Sequence, residues 1–311
     1  MRTLAFLPLA ASLAALVPAA LIAQSAVPAP RAVPLTETVH GITLNDEYRW
    51  MEDPATRPEW SAWVGGESQR TRSMLDGLPV RGELADLIAS TSSSLTRQGN
   101  VQQAAGTRTW FRTLPGEQSA KLMVSDAKGL RVLVDPAAVA GDKLMTMGAY
   151  ALSPDGRTVA VHLSSGGSEV GKIHFFDVAT GKEAYPALPN MWGEGAVTFL
   201  PGGLIAYNQM PAEAVDGDIS KGTASFIRPL AGGPQTLVFG KGAGGADVSP
   251  EEFPIVFAPP ASPFVVGVGA GARADQNFFL APRAGLLAGK PQWVRLAGLA
   301  DRVGTIALRG N

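Results

Sequence analysis

No cysteine occurs among the 311 residues. That absence excludes disulfides, thiolate metal sites, a cysteine nucleophile and a lipid-attachment cysteine. It does not exclude export, since an exported protein need not carry disulfides. An excess of one charge is lacking too: 26 Lys and Arg stand against 27 Asp and Glu. Nucleic acid is therefore not an expected partner. Histidine is scarce, at 3 copies, and no run after Ile22 is long and apolar enough to span a membrane. What the chain has in quantity is 36 Gly and 24 Pro, the composition of an all-β fold rich in turns.

The first residues read as a targeting segment. Arg2 supplies a positive charge, Leu4 to Ile22 is apolar, and Ala23, Ser25 and Ala26 offer small residues for cleavage. The alternative is a transmembrane anchor, because the run approaches the ~20 residues needed to cross. Pro18 interrupts the run and no basic cluster follows it, which favours a signal peptide over residues 1–23. The expected product is periplasmic or secreted, with no stable membrane insertion after cleavage. Residues 24–95 read as a linker and a helical amino-terminal segment. Pro28, Pro30 and Pro34 disfavour helix over 24–38. Pro58 and the near-helical spacing of Trp60, Val64 and Glu67 predict a helix to Leu75, weakened by about 1 kcal/mol at each of Gly65 and Gly66. Leu84, Leu87 and Ile88 predict a second helix from Arg81 to Ser90. Trp50, Trp60 and Trp63 lie close together amid charge; either they pack on the rest of this chain or they clasp another domain.

Residues 96–311 carry a repeat. Ser153-Pro154-Asp155-Gly156 is a turn, Thr158 to Leu163 alternates as a strand, and Ile173 to Val178 predicts its partner before the turn Ala179-Thr180-Gly181-Lys182. Corresponding strand centres fall at Met123, Phe175, Phe226 and Phe278. Upstream partners centre on Trp110, Ala160, Ile205 and Val265. Short strands after Gly129, Pro234 and Pro291 end most units. A period near 50 residues with about four strands per unit is the signature of a β-propeller blade. A β-sandwich is the alternative, although the spacing holds over three intervals. The expected fold is all-β: an incomplete, about four-bladed propeller behind a short helical segment.

The motif V-x-G-x(4)-D-x-Y-R-W-M-E-D-P over Val39 to Pro54, then W-V-x(6)-T-R-x-x-L-D over Trp63 to Asp76, resembles the amino-terminal segment of the prolyl oligopeptidase family of serine peptidases. Val132 to Pro136, Leu152 to Lys182, Phe199 to Asn208 and Gly289 to Trp293 resemble successive propeller stretches of that family. The resemblance implies a seven-bladed propeller placed between a short amino-terminal segment and a carboxy-terminal α/β-hydrolase domain. It implies a propeller that restricts entry to oligopeptides, and a Ser, Asp and His that all lie in the hydrolase domain. Asn311 falls inside the propeller by this count, so the chain is expected to gate and select substrate and not to catalyse alone. The chain then reads either as a gene fragment or as one piece of a split enzyme, with a separate hydrolase polypeptide as partner in the second case. A standalone periplasmic propeller acting as a binding module is the alternative.

No residue is assigned a catalytic, cofactor-binding or metal role, and no cofactor is expected. Gly166-Gly167-Ser168-Glu169-Val170 lacks the last Gly of a nucleophile elbow and reads as a hairpin loop. His162 and His174 fall on paired strands without a third ligand, and His40 precedes a glycine turn. Gly240 to Gly245 matches G-x-G-x-x-G, yet Ser249-Pro250 follows where a helix is needed. Gly267, Gly269 and Gly271 lie in or beside a strand, where glycine marks close backbone approach. Glu251-Glu252 and Glu52-Asp53 are sequence neighbours with nothing to hold them across a cleft.

Overall fold

The computed structural model describes residues 29–92, 94–141, 144–193, 197–215, 218–259 and 262–308. The targeting segment over 1–23 lies outside the described residues. The chain divides into two compact units, Met1–Ile88 and Ala89–Asn311.

In the first unit, β1 (Leu35–Val39) pairs antiparallel with β2 (Ile42–Asp46). His40 and Gly41 join them at φ of 52° and 79°, as a two-residue hairpin turn requires. The linker expected over 24–38 is therefore corrected from Leu35 onward. Pro34 is the last proline of the stretch, and the β-prone residues after it meet a turn that lets the chain return. The YRWMEDP block follows as two 3-10 turns. Arg49 Nε donates to Asp46 Oδ2 at 2.9 Å and Nη2 to Glu37 Oε1 at 2.5 Å, which binds the block to both hairpin strands. Asp53 accepts from Ala55 N and so caps the second turn. Trp50 Nε1 donates to Arg31 O at 2.8 Å, under a guanidinium 4.2 Å from the ring centre. Helix α1 (Arg57–Asp76) carries Pro58 and Glu59 in its first turn, where a missing N–H and a negative charge both suit the helix start. It runs through Gly65 and Gly66 unbroken. Helix α2 (Arg81–Ser92) follows, and neither helix buries a residue.

Four four-stranded antiparallel sheets, each in sequence order, make up the second unit. The first holds β3 (Arg97–Ala104), β4 (Thr107–Thr113), β5 (Lys121–Asp126) and β6 (Gly129–Val134), with the short helix α3 (Pro136–Ala140) after it. The second holds β7 (Thr146–Leu152), β8 (Thr158–Ser164), β9 (Val170–Asp177) and β10 (Glu183–Trp192). The third holds β11 (Thr198–Leu200), β12 (Leu204–Gln209), β13 (Ala224–Pro229) and β14 (Thr236–Phe239). The fourth holds β15 (Phe253–Phe257), β16 (Phe264–Ala270), β17 (Asn277–Pro282), then helix α4 (Arg283–Leu287) and β18 (Val294–Ala297). The strands expected from the sequence are the second and third of each sheet and the fourth of the first, third and fourth sheets; β10 and the first strand of every sheet are additional.

The central strands are apolar on both faces, and this makes the sheets stack. On β8, Val159, Val161 and Leu163 pack with Leu122 and Val124 of β5 in the first sheet. The alternate residue Ala160 joins Phe175 and Leu188 against Ile205 and Tyr207 of β12 in the third. Phe239 of β14 packs with Val265 and Phe279 of the fourth sheet and with Trp293 just before β18. Beyond it, Val266, Val268 and Phe278 are covered by Val303, Ile306 and Leu308. Each fully buried Phe contributes about 1.5–3 kcal/mol by leaving water. A strand whose two faces are both buried cannot be half of a two-layer sandwich with solvent outside. The sheets are four consecutive blades of a propeller.

The glycines mark where blades close on one another. A Cβ on Gly156, the last residue of the SPDG turn, would lie 2.7 Å from Ala104 O of the first blade, at a φ of +70°. A Cβ on Gly267 would lie 2.7 Å from the Phe239 ring. In the Gly240 to Gly245 string, a Cβ on Gly244 would lie 2.4 Å from Pro291 O, and Trp293 N donates to Gly244 O at 2.9 Å. Those glycines form packing turns.

Candidate functional site

A cavity of about 500 Å³ opens at one end of the second blade, lined among others by Asn100, Ala149, His162, Ser168, Glu169 and Trp192. The pleat of β8 places His162 there. Residues 159, 161 and 163 face the first blade, so 160 and 162 face the third. His162 is 1% exposed. Its Nε2 lies 3.1 Å from Met191 O. A carbonyl only accepts, so Nε2 carries the hydrogen and Nδ1 is a bare acceptor. Nδ1 is buried without a hydrogen-bond partner.

Three glycines make room for the imidazole. A Cβ on Gly148 would lie 2.7 Å from His162 Nδ1, and one on Gly171 2.8 Å from Nε2. A Cβ on Gly193 would lie 3.6 Å from Cε1. Gly193 O also accepts from Ala149 N at 2.8 Å, tying the strand exit after Trp192 to β7. Burial pushes the ring's pKa below its ordinary value; the Met191 carbonyl opposes that, and His174 adds to it slightly. The ring is neutral at neutral pH. A neutral, buried, unpaired acceptor calls for a hydrogen-bond donor, and the Glu169 carboxylate in the same lining adds negative charge. The Glu169 carboxylate in the lining suits a ligand that donates N–H groups, such as an ammonium.

The sequence-singled residues are dispersed otherwise. β8 and β9 pair Val161 with His174 and His162 with Ile173, so the pleat sends the two histidines to opposite faces. His174 Nδ1 lies 2.9 Å from Glu183 Oε1. Among the described residues no cluster of three or more metal-ligating side chains forms. Ser168 Oγ donates to Val170 O at 3.0 Å and accepts from Val170 N at 3.1 Å, the bonds of a turn serine. Glu251 pairs with Lys221 at 3.1 Å, while Glu252 accepts from Ser249 N at 2.8 Å.

The family model for the prolyl oligopeptidase N-terminal β-propeller domain matches residues 28–218. The chain belongs to the prolyl oligopeptidase family. A prolyl endopeptidase of Elizabethkingia meningoseptica is 28% identical over 158 residues, which is 50% of this chain and 22% of that protein. The prolyl endopeptidase of Elizabethkingia miricola is 27% identical over 150 residues, 48% of this chain and 21% of its own length. This prolyl oligopeptidase-family chain therefore aligns with about a fifth of those relatives.

Solved structures share the fold. A prolyl endopeptidase studied for inter-domain dynamics in catalysis and specificity superposes at a TM-score of 0.72 and 21% identity, over 88% of this chain and 39% of its own. Prolyl oligopeptidase B from Galerina marginata, bound to a 35mer hydrolysis and macrocyclization substrate, gives 0.70 at 15% identity over 87% and 41%. The propeller expected from strand spacing is the fold of these prolyl oligopeptidase structures. The His162 cavity carries no signal in sequence: its lining residues come from four strands and two loops.

Proposed function

We propose that this chain is the peptide-selecting propeller of a prolyl-oligopeptidase-type serine peptidase, and that the reacting serine, aspartate and histidine belong to an α/β-hydrolase domain acting with it. The observation that carries the reading is the blade-end cavity of about 500 Å³ with the Glu169 carboxylate in its lining. Within that size, an extended peptide of a few residues presents its ammonium end to the carboxylate. The family match over 28–218 supports the peptide class. In this reading the hydrolase partner is a polypeptide domain, neither nucleic acid nor metal enters, and no side chain here serves as nucleophile. Export to the periplasm or medium belongs to the same reading, supported by Arg2 and the apolar Leu4 to Ile22. No helix among the described residues is long and apolar enough to cross a membrane.

Titration of the full chain with a free-amine oligopeptide, read by Trp192 fluorescence, tests it. Saturable quenching is expected, weakened about tenfold in Glu169→Gln as one charge-assisted contact is lost. A fluorophosphonate probe is expected to label no serine. Binding indifferent to E169Q, or labelling, overturns the proposal.

A further inference from the structure

A second cavity lies at the opposite end of the blades. The β8–β9 loop borders the His162 cavity. In an antiparallel sheet the β7–β8 turn must then lie at the other end. There it meets the β11–β12 turn and the start of α4. Together they enclose about 570 Å³, lined among others by Asp155, Tyr185, Phe199, Leu204, Leu230 and Arg283. Three blades contribute to it, none of its residues belongs to the first cavity, and nothing in the proposed function uses it.

Its chemistry is two-ended. The walls are aromatic and aliphatic. At one place stands Asp155, whose Oδ1 already accepts from Ser153 Oγ at 2.6 Å and from Arg157 N at 3.0 Å. Those bonds, the hydroxyl first, hold its acid below the ordinary carboxylate value against the effect of burial. The second oxygen of an ionised carboxylate remains an acceptor. At another place stands Arg283. Its Nε donates to Ser262 O at 2.7 Å and its Nη2 to Pro259 O, so the guanidinium is fixed by main-chain carbonyls. Neither charge is used up by an ion pair with the other. An anion alone would meet Asp155 and a cation alone would meet Arg283; both charges are answered by a ligand that carries both, separated by an apolar body.

We propose that this cavity binds a short zwitterionic peptide with apolar side chains, its ammonium end on Asp155 and its carboxylate end on Arg283. The volume lies within the range of small-molecule sites, and at about 3.3–3.6 Å per residue a di- or tripeptide spans it. The site stands on its own observations and does not depend on the role given to His162.

Calorimetric titration of the full chain with the tripeptide Ala-Phe-Leu, its N-acetyl form and its C-terminal amide tests the proposal. The free tripeptide is expected to bind saturably, and each blocked form about tenfold more weakly, one charge-assisted pairing being lost. Asp155→Asn keeps the oxygen that caps the turn and removes the charge. It is expected to weaken the free tripeptide about tenfold and to leave the N-acetyl form unchanged. Leu230→Trp fills the cavity and is expected to abolish binding while the melting temperature holds. Every arm is run in the E169Q background, which weakens peptide binding at the His162 cavity. Absence of saturable binding at millimolar peptide, equal binding of free and blocked forms, or full binding in D155N overturns the proposal. The D155N arm decides the matter even where L230W does not fold.

Discussion

The imidazole of His162 is kept neutral by its surroundings, and that has a consequence for pH. In the unfolded chain the ring takes up a proton near its ordinary value of 6.5; in the folded chain burial opposes uptake. The unfolded state then binds more protons as pH falls, so the folded state is favoured fully above about 6.5 and loses stability progressively below it. His162→Gln keeps a donor for Met191 O and removes the titration. Urea melts compared between about pH 7.5 and pH 5 are expected to show a smaller acid-side loss in the variant than in the parent chain. The sequence displayed this histidine and its neighbour His174 as a pair. Their separation to opposite faces follows from the register of β8 and β9, a one-residue matter that strand-level reading did not settle.

Between elements, the tie worth testing joins the first two blades. Asp126 accepts from both Nη atoms of Arg131 at 2.8 Å, and Arg131 Nη2 donates onward to Val178 O at 2.8 Å. The Arg131 bonds come first among the causes that hold the Asp126 carboxyl at about 2. Its contribution is present above the ordinary aspartate value of 3.8 and is lost as pH falls from there toward about 2. Asp126→Asn is expected to cost about 1 kcal/mol at neutral pH and to flatten the stability curve below pH ~4; chemical denaturation across that range reads both. Legibility at this scale varied with burial. The second and third strands of each blade were readable because residues such as Val159 and Phe175 are apolar on both faces. The innermost strands were not: β3 is Arg97–Ala104, mostly polar, and β11 is only 3 residues long, so neither shows an apolar alternation to read. The hairpin β1–β2 was hidden by the prolines before it, although His40-Gly41 was its signal.

At the scale of the molecule, the two units differ in what holds them. Helices α1 and α2 bury no side chain, whereas β8 is buried along its whole length. Amide exchange is therefore expected to be fast throughout α1 and α2 and slowest in β8, β9, β12 and β16. Mass-spectrometric exchange resolves the difference, and equal protection of α1 and β8 would contradict it. The fold class and the family were both legible before any coordinates, since repeat spacing and the YRWMEDP block are long-range and local signals of different kinds. Neither blade-end cavity was, because each is assembled from loops of separate repeats.

The apolar interior of the propeller is sliced into slabs, each shared by neighbouring blades. A gain or loss of one whole repeat at its seams would bring one mating surface against another of the same kind. The number of repeats is then free to drift over evolutionary time in a way that the residues inside any one slab are not.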